Sequence, residues 1–133
     1  MIESLLAFGL YFVTALALVG IFLFLYTLVT PFDDYTLIFK ANNTAAAVGL
    51  GGAIVGLAIP MHSALVHSVS YADFVVWAVV AMVIQLIFAL FMTRLGGKFS
   101  FKEHIPKGDI AAGILMALAS TAIGLLNAGA MSY

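Results

Sequence analysis

Cysteine is absent from the 133 residues, which excludes disulfides, thiolate metal sites and cysteine nucleophiles. Charge is nearly as scarce, at 8% Asp, Glu, Lys and Arg against about 25% in an average soluble domain. A net charge of −1 provides no basic stripe for a nucleic-acid backbone. Apolar residues fill the remainder: the chain is 65% hydrophobic, with a mean hydropathy of +1.20. So short a chain cannot enclose that much apolar surface in a soluble core. Lipid must act as the solvent.

The charged positions leave four uncharged stretches, residues 4–32, 41–72, 74–93 and 110–133. Each holds roughly 20 mostly apolar residues, enough at about 1.5 Å per residue to cross a hydrocarbon core of about 30 Å. The expected spans are Leu5–Val29, Thr44–Val66, Phe74–Thr93 and Ile110–Met131. Membrane β-strands would alternate apolar and polar residues, whereas these runs are apolar all round. The first run begins MIES, without a basic residue, and continues to Val29. That is longer than the 7–15-residue core of a signal peptide (roughly), so an uncleaved helix is expected.

Boundary residues agree with these spans. Asn43 and Asp109 precede spans two and four as N-caps, and Ser70 with Asp73 has capping-box spacing before span three. Thr30-Pro31 ends span one, because proline cannot continue a helix without losing a hydrogen bond. All five Lys and Arg residues fall in the first and third connections. By the positive-inside rule these connections are cytoplasmic and both termini are periplasmic.

Shifting the chain by 66 residues lays Asn43-Thr44-Ala45-Ala46-Ala47 on Asp109-Ile110-Ala111-Ala112-Gly113. The expected fold is therefore an all-α integral membrane protein, one transmembrane domain spanning residues 1–133. It would be a tandem repeat of two-helix hairpins, 1–67 and 68–133. Both hairpins insert the same way up, unlike the inverted repeats of many transporters.

The stretch Gly49 to Gly56 holds four glycines. It lacks both the third glycine of a dinucleotide fingerprint and the lysine of a P-loop. Gly49, Gly52, Gly56, Pro60, Ser63 and His67 instead recur at steps of three to four along one helical face. Gly113, Ala117, Ser120, Gly124 and Asn127 make a similar stripe in span four. Small residues let backbones approach closely in lipid, so spans two and four are expected to form the inner pair, within one chain or across an oligomer. Spans one and three, rich in Phe, Leu, Ile and Val, are expected to face lipid. Pro60 frees the Gly56 carbonyl and favours a bend, which serves packing or, less simply, gating.

Intramembrane polar residues are functional candidates, here His62, Gln85, Thr121 and Asn127, together with Ser120. The plainer reading is hydrogen bonding between helices, each bond worth about 0.6–2 kcal/mol. It is preferred because no carboxylate partners the histidines in mid-membrane; a membrane enzyme is disfavoured because every carboxylate sits alone at a helix end or in a loop. A metal site is not expected, since His62 and His67 are five residues apart and point in different directions. No cofactor is expected. Arg94, Lys98, Lys102 and Lys107, interleaved with Phe99, Phe101 and Ile105, set topology and offer a surface to anionic lipid or a partner protein. The first connection is expected to be a short interfacial turn.

Several of these features together resemble one family. They are Thr30-Pro31, Asn42-Asn43-Thr44-Ala45-Ala46, Ile59-Pro60, Ile84-Gln85-Leu86, Ala111-Ala112-Gly113 and Asn127-Ala128. The chain resembles the YjfL-like bacterial inner-membrane proteins of the domain-of-unknown-function 350 family along nearly its whole length. The resemblance implies an inner-membrane location, tandem two-helix repeats, and an envelope-stress context near a peripheral phage-shock-type membrane-remodelling protein. It supplies no catalytic residues. The expected function is thus a non-enzymatic, self-associating membrane-integrity component that recruits such a partner. The alternative is a small oligomeric channel or transporter lined by the intramembrane polar residues.

Overall fold

The computed structural model describes residues 1–95 and 100–131. Lys98 and Phe99, part of the basic connection, lie outside the described residues. Four long helices dominate: α1 (Ile2–Val29), α3 (Thr44–His67), α4 (Tyr71–Arg94) and α6 (Ile110–Ala130). Each is long and apolar enough to cross a membrane. Two short helices, α2 (Asp34–Phe39) and α5 (Phe101–His104), occupy the first and third connections.

Helix ends follow local chemistry. Thr30 closes α1 with an extended ψ of 141° ahead of Pro31, as the proline requires. Asn43 accepts the Ala46 amide at 3.0 Å and Asp109 the Ala112 amide at 3.4 Å, which caps α3 and α6. Ser70 accepts the Asp73 amide at 3.1 Å, while the Asp73 carboxylate reaches back to the amide of Val69 rather than Ser70. The first and third connections each turn through a left-handed residue one place before the cap, Asn42 at φ 53° and Gly108 at φ 81°. Asparagine and glycine tolerate that region best. The first connection is not the simple turn expected, because Asp33 caps α2 through the Thr36 amide and hydroxyl.

α3 lies at the centre. It packs most extensively on α6 and also touches α4, α2 and α1. Chain order makes α3 and α6 run in the same direction, with Ala45 beside Gly113, Gly52 beside Ala117 and Ser63 beside Ala128. α4 was expected to face lipid, yet it buries Phe74, Ala78, Ala81, Met82, Gln85, Ala89 and Thr93. Steps of mostly three and four give it a continuous inner stripe. α6 in turn buries only its narrow seam, while Ile114, Leu118 and Leu125 remain exposed. Over an apolar 18-residue stretch of each helix, 33% of α4 and 28% of α6 is buried, so α6 is no more internal than α4. α1 is the most peripheral span and buries Ala15, Phe22 and Tyr26.

One end of the bundle carries both connections with their helices and the described cations Lys40, Arg94, Lys102 and Lys107; this is the basic end. There Asn43 donates through Nδ2 to the Ile105 carbonyl at 2.7 Å, tying the two connections together. At the opposite end Thr14 and Tyr71 share a 2.8 Å hydrogen bond, and the Tyr11 and Phe74 rings lie 5.3 Å apart. These contacts fasten α1 to α4.

Candidate functional site

The glycines determine how closely α3 and α6 approach. A Cβ placed on Gly52 would overlap the Cα and Cβ of Ala117, and one on Gly113 would lie 2.8 Å from the Ala45 Cα. Gly56 meets the Ser120 carbonyl and the Gln85 amide group, the latter at 2.8 Å from an added Cβ. Gly124 lies against the carbonyl of Gly56, the group Pro60 leaves without its helical partner. A Cα–H···O contact across the seam suits that carbonyl. Gly49 meets only the flexible end of Met116. Gly49, Gly52, Gly56, Gly113, Ala117, Ser120 and Gly124 all lie along this contact, Ala117 and Ser120 supplying backbone that the glycines meet. Both stripes are thereby occupied within one chain.

The intramembrane polar residues divide into three groups. Gln85 Nε2 donates to the Ser120 carbonyl at 3.3 Å, and Asn127 Nδ2 donates to the Ala81 carbonyl at 3.2 Å. Both bonds tie α4 to α6. Thr121 donates instead to Ala117 within its own helix at 2.8 Å, the usual back-bonding of a helical threonine. His62 is exposed on the outer face of α3, where lipid would lie. His67 is also exposed, off the packed seam, with Nδ1 3.0 Å from the Ser63 carbonyl. Among the described residues no three His, Asp or Glu side chains gather as a metal site. Gln85 Oε1 is buried without a hydrogen-bond partner among them.

At the basic end, Arg94 Nε donates to the Val29 carbonyl at 2.8 Å, capping α1 with a cation as its dipole favours. An open cleft of about 710 Å³ lies beside it, lined by Thr27, Thr30, Asp33, Tyr35, Arg94 and Lys102 among others. Lys107 is exposed in the turn that precedes α6, and His104 pairs with Asp109 at 3.0 Å. Thr36 hydrogen bonds hold the exposed Asp33 carboxyl below its usual range.

The sequence reading missed Asp34. It does not sit alone in a loop: its side chain is wholly buried, and Thr30 Oγ1 donates to Oδ2 at 2.6 Å. Burial pushes its carboxyl up to about 6, outweighing the lowering effect of the Thr30 hydroxyl. Tyr26, Thr30 and Asp34 recur at steps of four, and that spacing was the available signal.

Compared with known proteins, residues 1–131 match the family described as Domain of Unknown Function (DUF350). The chain is 41% identical over 136 aligned positions to the UPF0719 inner membrane protein YjfL of Escherichia coli (strain K12), covering 99% of this chain and 98% of that protein. The same figures hold for the protein of that name from Escherichia coli O157:H7. No solved structure matches the chain significantly.

Proposed function

This chain belongs to the DUF350 family and is an integral inner-membrane protein, and on that footing we propose that it is a non-enzymatic membrane scaffold serving envelope integrity. Its basic end faces the cytoplasm, with both termini periplasmic, and recruits a peripheral membrane-remodelling protein of the phage-shock type beside anionic lipid. One observation carries this reading. The donors of Gln85, Asn127 and Ser63 are directed to backbone carbonyls of neighbouring helices, whereas Arg94, Lys102 and Lys107 are exposed at one end. A channel lining would need those polar groups turned toward a water path, so the transport reading has less support.

Self-association is part of the proposal, but through the outward faces of α1 and α4, since the glycine seams are filled. Stacked Phe8 and Phe12 are exposed on α1, and Gly9 and Gly20 have nothing near them. The two halves are read as tandem repeats. In support, each half runs long helix, short helix, long helix, with Asn42 and Gly108 as left-handed turns 66 positions apart.

In-cell photocrosslinking from positions 102 and 107 tests recruitment. Capture of a cytoplasmic membrane-associated protein, lost when Arg94, Lys102 and Lys107 are changed to Glu, supports the proposal. Crosslinks to lipid and to no protein would remove the recruiting role.

A further inference from the structure

Asp34 and Tyr26 are both wholly buried at the basic end. Asp34 Oδ1 and Tyr26 Oη are each without a hydrogen-bond partner among the described residues. Leaving two buried oxygens unmatched is costly, and leaving one of them on a carboxylate more so. We propose that Asp34, Thr30 and Tyr26 form a proton-binding site, which keeps α2 docked on α3 when occupied and loosens it when Asp34 ionises.

The chemistry needs a single proton. Bound at Oδ1, it turns that oxygen into a donor; Tyr26 Oη, buried and also unpartnered among the described residues, feels the Asp34 charge and is the acceptor the proposal assigns to it, while Thr30 continues to donate to Oδ2. The proton comes from solvent and no other bond is made or broken. Thr30 lines the open cleft while Asp34 is shut away from it, so the threonine stands between the site and water.

On α1 the polar neighbour is the Tyr26 hydroxyl, which lies within reach of the Asp34 charge. Ahead of α2 the neighbour is Asp33, whose negative charge favours a protonated Asp34. α3 carries no Asp, Glu, Lys or Arg, and His62 and His67 lie toward its far end. Arg94 from α4 and Lys102 from α5 line the cleft beside Asp33 and would favour the ionised form. Burial dominates, so the raised affinity places the transition at about 6 instead of in the ordinary carboxylate range.

The consequence for α2 follows from solvation. As the chain stands, only the Thr30 hydroxyl is hydrogen-bonded to the Asp34 carboxyl and Oδ1 is unpartnered among the described residues, so water is the better solvent for the ionised form. α2 begins at Asp34 and is held to the bundle by Leu37 and Ile38, both partly buried. Moving the carboxylate into water therefore pulls on the first turn of α2. The sign is fixed: Asp34 binds a proton more tightly in the folded chain than in an unfolded one. Its stabilising contribution is full below the ordinary carboxyl range and is lost as pH rises through about 6.

The test uses the full chain in phosphatidylcholine nanodiscs, followed by infrared difference spectroscopy between about pH 8 and about pH 5. The expected result is a protonated-carboxyl band with a midpoint near 6, absent in Asp34→Asn and shifted in frequency in Tyr26→Phe. Tyr26→Phe keeps the carboxyl and the ring, so it assigns the band even if Asp34→Asn fails to fold. Hydrogen exchange at the Leu37 and Lys40 amides, corrected for the intrinsic rate, should accelerate at least about tenfold over the same range in the native chain. A carboxyl that titrates only in the ordinary range, or a band indifferent to Tyr26→Phe, overturns the site. α2 exchange that does not change across that range overturns the docking role.

Discussion

The Gly56 carbonyl, released from its helical bond by Pro60, rests against Gly124 of the neighbouring helix. A helix break in one span and a glycine in another thus meet at one point. Without the glycine, the carbonyl would face a side chain that cannot withdraw.

The glycines should therefore separate by what they touch. Alanine at Gly52, Gly56, Gly113 or Gly124 meets backbone at 3.0 Å or less, and overpacking of this kind costs about 1–3 kcal/mol. Gly49→Ala should be milder, because the group it meets is the end of the Met116 side chain. Gly51→Ala has open space around it and should stabilise by about 0.5–1 kcal/mol through helix propensity. Thermal unfolding in detergent, followed by size-exclusion chromatography, ranks the series.

The two amide ties between α4 and α6 should be unequal. Asn127→Leu loses its bond to the Ala81 carbonyl, and the expected cost is about 0.6–2 kcal/mol. Gln85→Leu loses a similar bond but also removes the unpartnered Oε1, so it should be close to neutral. Melting temperatures of both variants decide this, and a Gln85→Leu more damaging than Asn127→Leu would contradict it.

Asn43 has two duties that conservative changes can separate. Asn43→Asp keeps the cap to Ala46 but loses the donor to the Ile105 carbonyl, while Asn43→Ala loses both. A lost cap costs about 1 kcal/mol, and a buried carbonyl left unpaired about 1–3 kcal/mol. Equal melting temperatures for the two variants would mean that the cap contributes nothing.

The absence of cysteine makes orientation easy to measure. Ser4→Cys and Ser70→Cys should react with a membrane-impermeant maleimide added to cells with a permeable outer membrane. Lys40→Cys and Lys107→Cys should react only after the inner membrane is opened. The reverse pattern would invert the proposed topology.

The spans, their caps and the small-residue stripes were legible because each depends on local chemistry. Charge cannot enter lipid, a short polar side chain caps the amides beside it, and glycine marks a close approach. Tertiary placement was not legible. Nothing local shows that Gly52 faces Ala117 of the same chain, or that α4 hides a stripe among residues as apolar as its exposed ones. Asp34 looked like one more loop charge because its burial arises from the fold around Pro31 and from α2 docking on α3. Thr121 misled for the opposite reason, since its hydroxyl bonds its own helix and needs no neighbour.

A disulfide across the α3–α6 seam distinguishes a contact within one chain from one between chains. A Cβ on Gly49 would lie 3.9 Å from the Met116 Cγ, and replacing Met116 removes the end that the new side chain would meet. Oxidised in native membranes, the Gly49→Cys, Met116→Cys double variant should form a bond within one chain and run as a monomer on a non-reducing gel. Disulfide-linked dimers from cells co-expressing the two single variants, with no internal bond in the double variant, would contradict the intramolecular seam.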